Sequence, residues 1–445
     1  MELPLEITQC MEALEGASFA TYAVGGCVRD HLLGLVPHDF DLCTAARPEQ
    51  IQEVFRQERL VLSGLKHGTV GVVTPGGVVE ITTFRTEGDY TDGRHPGWVR
   101  FVPTIEEDLA RRDFTVNAMA WSPTRGLCDP FGGQQDLQNK TLRAVGEPRK
   151  RFEEDALRIL RGVRFAVRYD LTPDPATEAA MFQQTHLMEQ LARERVFDEL
   201  CKLLPLVDAA DLLRFEPILT AVIPELKPAV GFDQRSTHHA YDLYTHIAHV
   251  TAAVPRELPL RWAALLHDVG KPDTFSLDDH GQGHFYGHAG RSGQLADEIL
   301  LRLKAPTALR RQVVTLIEQH MNHSEPETKL LRRRLSRLGI QTVEQLLALQ
   351  EADMGSKGTG KSADTSYFLR MRQLLRQLQE EDACLSLKDL AVNGSDLMSL
   401  GIPPGKALGR CLQQLLDQVL DEKLPNRRSE LLAAARQYFD QEEHQ

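Results

Sequence analysis

The stretch "VGGCVRDHLLGLVPHDFDL", Val24 to Leu42, sets two acids, Asp39 and Asp41, one residue apart on an otherwise apolar segment. Read as a strand, "HDFDLC" sends Asp39 and Asp41 to one face and Phe40 and Leu42 into the core. Two carboxylates about 6.5–7 Å apart along one strand face can share divalent metals. In phosphoryl or nucleotidyl transfer, one metal activates the attacking hydroxyl and the other neutralises the leaving pyrophosphate. Gly25 and Gly26 let the backbone approach a triphosphate, the following helix offers its N-terminus, and Arg29 adds charge. Glu80, in "VVEITTF", is a third acid placed to face a metal. Alone, D-x-D reads as a polar strand facing water; the glycine turn and Arg29 upstream shift the reading to chemistry.

These groups need a scaffold. The first ~125 residues hold short β-branched runs separated by turns: "FATYAV", "HDFDLC", "RLVLS", "TVGVVTP", "GVVEITTF" and "WVRFV". From about Phe152 onward the apolar spacing is helical. The expectation is an α+β head, residues 1–145, followed by an all-α neck (146–225), a helical domain (226–360) and a helical tail (361–445). "RTEGDYTDGRHPGW" (85–98) and "MGSKGTGKSADT" (354–365) read as loops.

"GGCVRD…DFDL", "RRDFTVNAMA" (111–120), "DPFGGQQDL" (129–137) and "EDALRILRGVRFA" (153–166) occur in that order. Together they resemble the class II tRNA nucleotidyltransferase and bacterial poly(A) polymerase family. The resemblance is specific over the first 170 residues and continues more weakly through "NGSDLMSLGIPPGKALGRCLQQLLDQVL". It implies a polymerase-β-like nucleotidyltransferase head, Mg²⁺ as cofactor, and tRNA, ATP and CTP as partners. The implied activity is template-independent addition of CCA to tRNA 3′ ends. Gly26, Arg29, Asp39, Asp41, Arg112, Asp155, Arg158, Arg161 and Arg164 then fall on nucleotide- or metal-binding positions. A-only addition, CC-only addition and poly(A) tailing use the same chemistry. The loop at 85–98 is long, whereas in the family its shortening accompanies CC-only enzymes.

"EDALRILRGVRFA" reads as a two-faced helix, with Ala156, Leu160, Val163 and Val167 buried and Asp155, Arg158, Arg161 and Arg164 opposite. Cytosine and adenine share an exocyclic amino donor beside an unprotonated ring nitrogen. An ionised Asp155 only accepts and Arg158 only donates, so the pair suits both bases, whereas guanine and uracil present a carbonyl to the acid. Arg112 serves phosphates. Asp113 and Asn117 can bond a ribose hydroxyl, the alternative being that Asp113 pairs with neighbouring arginines. "DPFGGQQDL" reads as a turn feeding a helix, structural rather than catalytic.

"LLHDVGKP" (265–272) is a second signal. His267-Asp268 near a helix end, followed by Gly and Lys, resembles the HD phosphohydrolase superfamily. That resemblance implies His246 and Asp353 as further metal ligands, with His288 and His320 at positions seen in some members. Imidazole plus carboxylate suits Mn, Fe, Ni, Co or Mg without choosing among them. Singly, each histidine reads as a satisfied helix residue: His320 continues the row Val313, Leu316, Ile317. As a set they point to a second divalent metal and to removal of a cyclic or terminal phosphate from RNA ends.

The bulk numbers bound these readings. A chain of 445 residues exceeds one hydrophobic core. No apolar run reaches the ~18–20 residues of a membrane span, and the acidic N-terminus does not resemble a signal peptide. Seven scattered cysteines without C-x-x-C fit a reducing, cytoplasmic setting. A net charge of −12 excludes a global basic field, so an RNA contact rests on local basic surfaces; "KLLRRRLSRLG" (329–339) and "RKRF" (149–152) read either as tRNA phosphate contacts or, equally, as solvated helix faces paired with nearby acids. "GSKGTGKS" (355–362) spells a phosphate loop, but helical spacing precedes it where a buried strand is required.

Overall fold

Short runs of β-branched residues in the first 130 positions assemble into one seven-stranded mixed sheet. The computed structural model describes residues 1–37, 39–88, 99–236, 240–358, 365–381 and 383–442. They divide into two units, Met1–Lys227 with Ile299–Ala305, and Pro228–Glu298 with Pro306–Gln445. Among the described residues no helix is long and apolar enough to cross a membrane.

In the first unit the strand order is Leu60–Val61, Thr69–Thr74, Gly77–Thr83, Asp41–Thr44, Thr21–Val24, Ala120–Ser122 and Gly126–Cys128. Asp41–Thr44 lies in the middle, parallel to Gly77–Thr83 (Leu42 opposite Ile81) and antiparallel to Thr21–Val24 (Val24 opposite Asp41). Leu42, Ile81, Val24 and Ala120 are buried. Because Val24 pairs with Asp41, the glycine turn after Val24 and the acids before Leu42 meet at one end of the sheet.

All six expected strand runs form. The strand under the paired acids starts at Asp41, leaving Asp39 and Phe40 in irregular chain just ahead; His38 lies outside the described residues. "WVRFV" does not join the main sheet: Val99–Phe101 pairs with Arg85–Glu87 as a separate ribbon. Residues 89–98, most of the loop noted above, lie outside the described residues. Ala120–Ser122 and Gly126–Cys128 were not anticipated, because three residues per strand are too few to show alternation.

Beyond residue 145 the first unit is almost wholly helical, with Pro148–Glu154, Leu157–Tyr169 and Arg193–Leu203 relevant to the site. The second unit is built mainly of helices, among them Leu243–Ala253, Leu258–Leu266, Thr307–Gln319, Thr328–Leu338 and Ile340–Gly355. The chain enters "GSKGTGKS" from the last of these helices rather than from a strand, and residues 359–362 lie outside the described set. That local order is incompatible with a phosphate loop.

"DPFGGQQDL" does form a turn feeding a helix. The Asp129 carboxylate accepts the backbone N–H groups of Gly133 (2.7 Å) and Gln134 (2.8 Å), opening the helix Gly133–Gln138. That helix presses on the short turn Thr115–Asn117. A Cβ on Gly133 would stand 2.2 Å from the Thr115 carbonyl oxygen. We expect Gly133→Ala to cost about 2–3 kcal/mol by overpacking, read as a lower urea midpoint for the first unit. An unchanged midpoint would show that this contact does not fix the turn.

Candidate active site

The end of the sheet opens onto a cavity of about 530 Å³. Gly25, Gly26, Arg29, Asp39, Asp41, Arg112, Asp113, Asn117, Asp155, Arg158, Arg161 and Arg164 all line it. Eight arginines and five aspartates of the described residues contribute to its wall. Gly25 has φ +73°, and a Cβ there would meet Arg112 Nη1 at 2.7 Å, so the turn has room for glycine alone. The helix after it, Gly26–Leu32, spans only seven residues. Burial pushes the Asp41 carboxyl above its ordinary range; Arg112 opposes this and the neighbouring Asp39 adds to it. Two acids crowded in this way on a cavity wall suit a shared divalent cation. Glu80 precedes Ile81 on the adjacent strand and so shares the face of Asp41, but it is exposed and does not line the cavity.

Behind the wall lies a lattice of ion pairs. Asp108, with no exposed surface, holds Arg111 (3.0 Å) and Arg112 (3.3 Å) side by side and accepts the Arg85 backbone N–H. Burial alone would raise its carboxyl, but the two arginines outweigh this and hold it below the ordinary range. Arg29 donates to Asn117 and Asp30 and stacks over the Tyr169 ring at 4.2 Å. Asp113 takes Arg161 at 2.7 Å, the Asn117 amide and the Phe114 N–H. The partner of Asp113 is thus an arginine 48 residues on, not one of its sequence neighbours.

The helix around Arg158 departs from the sequence reading. Asp155 is not on it: the chain is extended there (φ −150°, ψ 101°), between the helices Pro148–Glu154 and Leu157–Tyr169. Its oxygens accept the Leu157 N–H and a forked pair from Arg195, at 2.7 and 3.3 Å. Nor is the arginine face open to solvent. Arg158 and Arg164 are buried; Arg158 donates to Glu154 (2.7 Å) and to the Arg111 carbonyl (3.0 Å), and Arg164 to buried Glu199 (2.6 Å). Asp108, Arg195 and Glu199 went unnoticed in the sequence. One signal was available for Glu199, an acid set among the buried residues Val196, Phe197, Leu200 and Leu203 of its helix.

In the second unit the six groups of the histidine set converge. Four Nε2 atoms surround the Asp268 carboxylate, from His267 at 3.2 Å, His246 and His288 at 3.4 Å and His320 at 3.9 Å. His246 also meets Asp353 at 3.1 Å. Each Nδ1 faces a backbone carbonyl: Ser356, Ala264, Phe285 and Ile317 for His246, His267, His288 and His320. That arrangement orients each ring and turns every Nε2 inward. The Nε2 atoms of His267, His288 and His320 are buried and make no hydrogen bond. Burial disfavours charge on His246, but Asp268 and Asp353 outweigh it and lift the ring to about 9; burial, reinforced by His267, takes His320 down to about 4. Lys271, quoted but unassigned in the sequence reading, lies 2.6 Å from Asp268 and donates to Gln234. Inward nitrogen donors with a central carboxylate fit a divalent transition metal.

The Asp113–Arg161 pair sets a stability signature in the first unit. Burial raises the Asp113 carboxyl, but Arg161, Asn117 and the Phe114 N–H outweigh it and hold it at about 2. Since this lies below the unfolded value, the pair stabilises fully above about pH 4 and loses its effect as pH falls toward 2. Asp113→Asn should therefore cost about 2 kcal/mol at pH 7, with the gap to wild type narrowing below pH 4 in urea titrations. A gap that ignores pH would mean the ion pair is not what matters.

Comparison with known proteins gives the family. Residues 21–143 match the poly A polymerase head domain and residues 285–435 match tRNA nucleotidyltransferase domain 2. Residues 170–230 match an RNA- and SrmB-binding region of polymerase A. The CCA-adding enzyme of Levilactobacillus brevis is 34% identical over 426 residues, 95% of each chain. That of Latilactobacillus sakei subsp. sakei is 33% identical over 433 residues, 97% of each chain. The crystal structure of the Bacillus stearothermophilus CCA-adding enzyme in complex with CTP superposes with a TM-score of 0.72 at 27% identity, covering both chains fully. The Thermotoga maritima CCA-adding enzyme shares the fold at a TM-score of 0.57 and 22% identity, over 98% of this chain and 96% of its own. Paired acids beside a glycine turn, an arginine-walled cavity and relatives matched end to end make this chain a member of the CCA-adding enzyme family, nucleotidyltransferases of tRNA processing.

Proposed function

We propose that the 530 Å³ cavity binds CTP and ATP in turn and that the chain adds CCA to tRNA 3′ ends without a template. One observation carries this reading: every nucleotide-binding residue expected from the sequence lines a single cavity with Asp39 and Asp41. The relative solved with CTP supports it. Asp39 and Asp41 hold divalent metal, magnesium in this reading, which when bound activates the RNA hydroxyl and neutralises the departing pyrophosphate. Arg29, Arg111 and Arg112 bind the triphosphate, and Gly25 leaves room for it. Asp113 and Asn117 retain lone pairs and so can accept from a ribose hydroxyl. Asp155 accepts from the base's amino group and Arg158 donates to its ring nitrogen. Glu80 flanks this machinery without entering it. Work on tRNA sets the reaction in the cytoplasm.

The histidine cluster supports a second reading. Six convergent donors in the second unit form a metal centre for hydrolysing a 2′,3′-cyclic or terminal phosphate on RNA, with His246, His267, Asp268, His288, His320 and Asp353 as ligands.

With tRNA lacking its last three nucleotides, C should be incorporated first, then A, then addition should stop. A alone or a long A tail would instead mark the A-adding or poly(A) alternative. Asp39→Ala should abolish incorporation. Asp155→Asn, which gains a donor, should raise the UTP-to-CTP ratio about tenfold, the worth of one mismatched buried hydrogen bond; an unchanged ratio would refute base reading by this acid. For the second site, mass spectrometry of the full chain should find bound transition metal that His267→Ala loses together with opening of a 2′,3′-cyclic end to the monophosphate and release of a terminal phosphate. Equal metal content in both proteins would end that reading.

A further inference from the structure

The densest basic run of the chain, "KLLRRRLSRLG", forms the helix Thr328–Leu338 in the second unit, and neither reading above uses it. Its inward side borders a second cavity of about 880 Å³, distinct from the nucleotide cavity of the first unit. Three arginines of the helix line it, together with Asn322, His323 and Ser324 of the irregular segment that follows the helix Thr307–Gln319.

The three arginines are not equivalent. Arg333 is half-exposed and spent on Asp421, at 2.6 Å. Arg337 meets a neutral partner in this wall, the side-chain amide oxygen Oε1 of Gln319, at 3.2 Å. Arg334 is 7% exposed, and neither terminal nitrogen of its guanidinium makes a hydrogen bond. The nearby Tyr367 hydroxyl donates to the Ser324 carbonyl at 3.0 Å and turns its oxygen, a neutral acceptor, toward the guanidinium. Ser324 Oγ, on the same wall, is also buried without a hydrogen bond. The lining carboxylate, Asp417, lies on the Arg333 side, where it favours the charge of that arginine. Burial pushes the Arg334 guanidinium below its ordinary range, with Tyr367 partly offsetting this. A guanidinium whose terminal nitrogens are left without partners at such depth is unfavourable unless an anion completes it.

We propose that this cavity is a phosphoryl-binding site in which the fork of Arg334, the Arg337 guanidinium and the Ser324 hydroxyl hold a phosphate group of an RNA strand. A guanidinium fork beside a hydroxyl donor matches the tetrahedral oxygens of phosphate. The volume far exceeds one phosphate and leaves room for the attached nucleotide. The anion site stands on these contacts alone; RNA as its source rests on the tRNA reading.

Full-length wild type, Arg334→Gln and Arg337→Gln would be titrated with fluorescent tRNA lacking its 3′ CCA over a range of salt. Inorganic phosphate and CMP would be followed by thermal shift. Loss of one phosphate contact should weaken tRNA binding about tenfold and reduce the salt slope by about 1. If tRNA binding is unchanged but phosphate or CMP stabilises wild type and not Arg334→Gln, the site stands with a free phosphorylated ligand and the RNA source fails. Should Arg334→Gln not fold, judged by circular dichroism, Arg337→Gln carries the same test. Folded variants that match wild type in every titration overturn the proposal. Asp39→Ala is expected to keep the wild-type salt slope while losing incorporation, so failure of the polymerase reading reads out separately.

Discussion

Eight guanidinium groups around one cavity repel each other, and the first unit is organised around that repulsion. A site for a triphosphate needs concentrated positive charge, yet an unliganded protein must keep that charge folded. The answer is a set of acids within and behind the wall. Asp108, Asp113 and Glu199 are buried, and Asp155 is nearly so; each grips one or more of the cavity arginines at ion-pair distance. Measured against apolar side chains of the same size such pairs add little, because desolvation offsets attraction, although removing one partner alone is costly. They fix where each guanidinium points. Arg111 and Arg112 are anchored together because one carboxylate, Asp108, holds both, and Asp155 is oriented because Arg195 forks onto it.

The second unit solves the inverse problem. Four imidazoles crowd one carboxylate, with Lys271 beside it, in an interior that disfavours any charge. Backbone carbonyls at helix ends orient every ring, so the donor set is preorganised. One of them belongs to Ser356, inside the motif that spells a phosphate loop. The letters that suggest nucleotide binding thus begin as a support for the histidine cluster.

Much of this was legible from the chain. The paired acids, the glycine turn and the HD pair are local patterns whose chemistry depends on near neighbours, and the matching of strands to β-branched runs followed from period alone. Asp155 was misplaced by two residues of helix start. "EEDALR" offers Asp155 itself as a capping residue, its carboxylate accepting the Leu157 N–H, but the surrounding helical spacing hid the break, and Arg195, 40 residues away, also holds that carboxylate.

The sequence by itself determined which groups are present, which fold class carries them and which chemistry they suit, because these depend on residue type and short spacing. Only the tertiary structure decided which arginines are spent on buried acids and which are not, that Glu80 stays off the cavity wall, and that six donors scattered from His246 to Asp353 share one centre. Those outcomes rest on side chains far apart in sequence meeting in a medium of low polarity. There the strength of a charge is set by its partners, and no local pattern records who they will be.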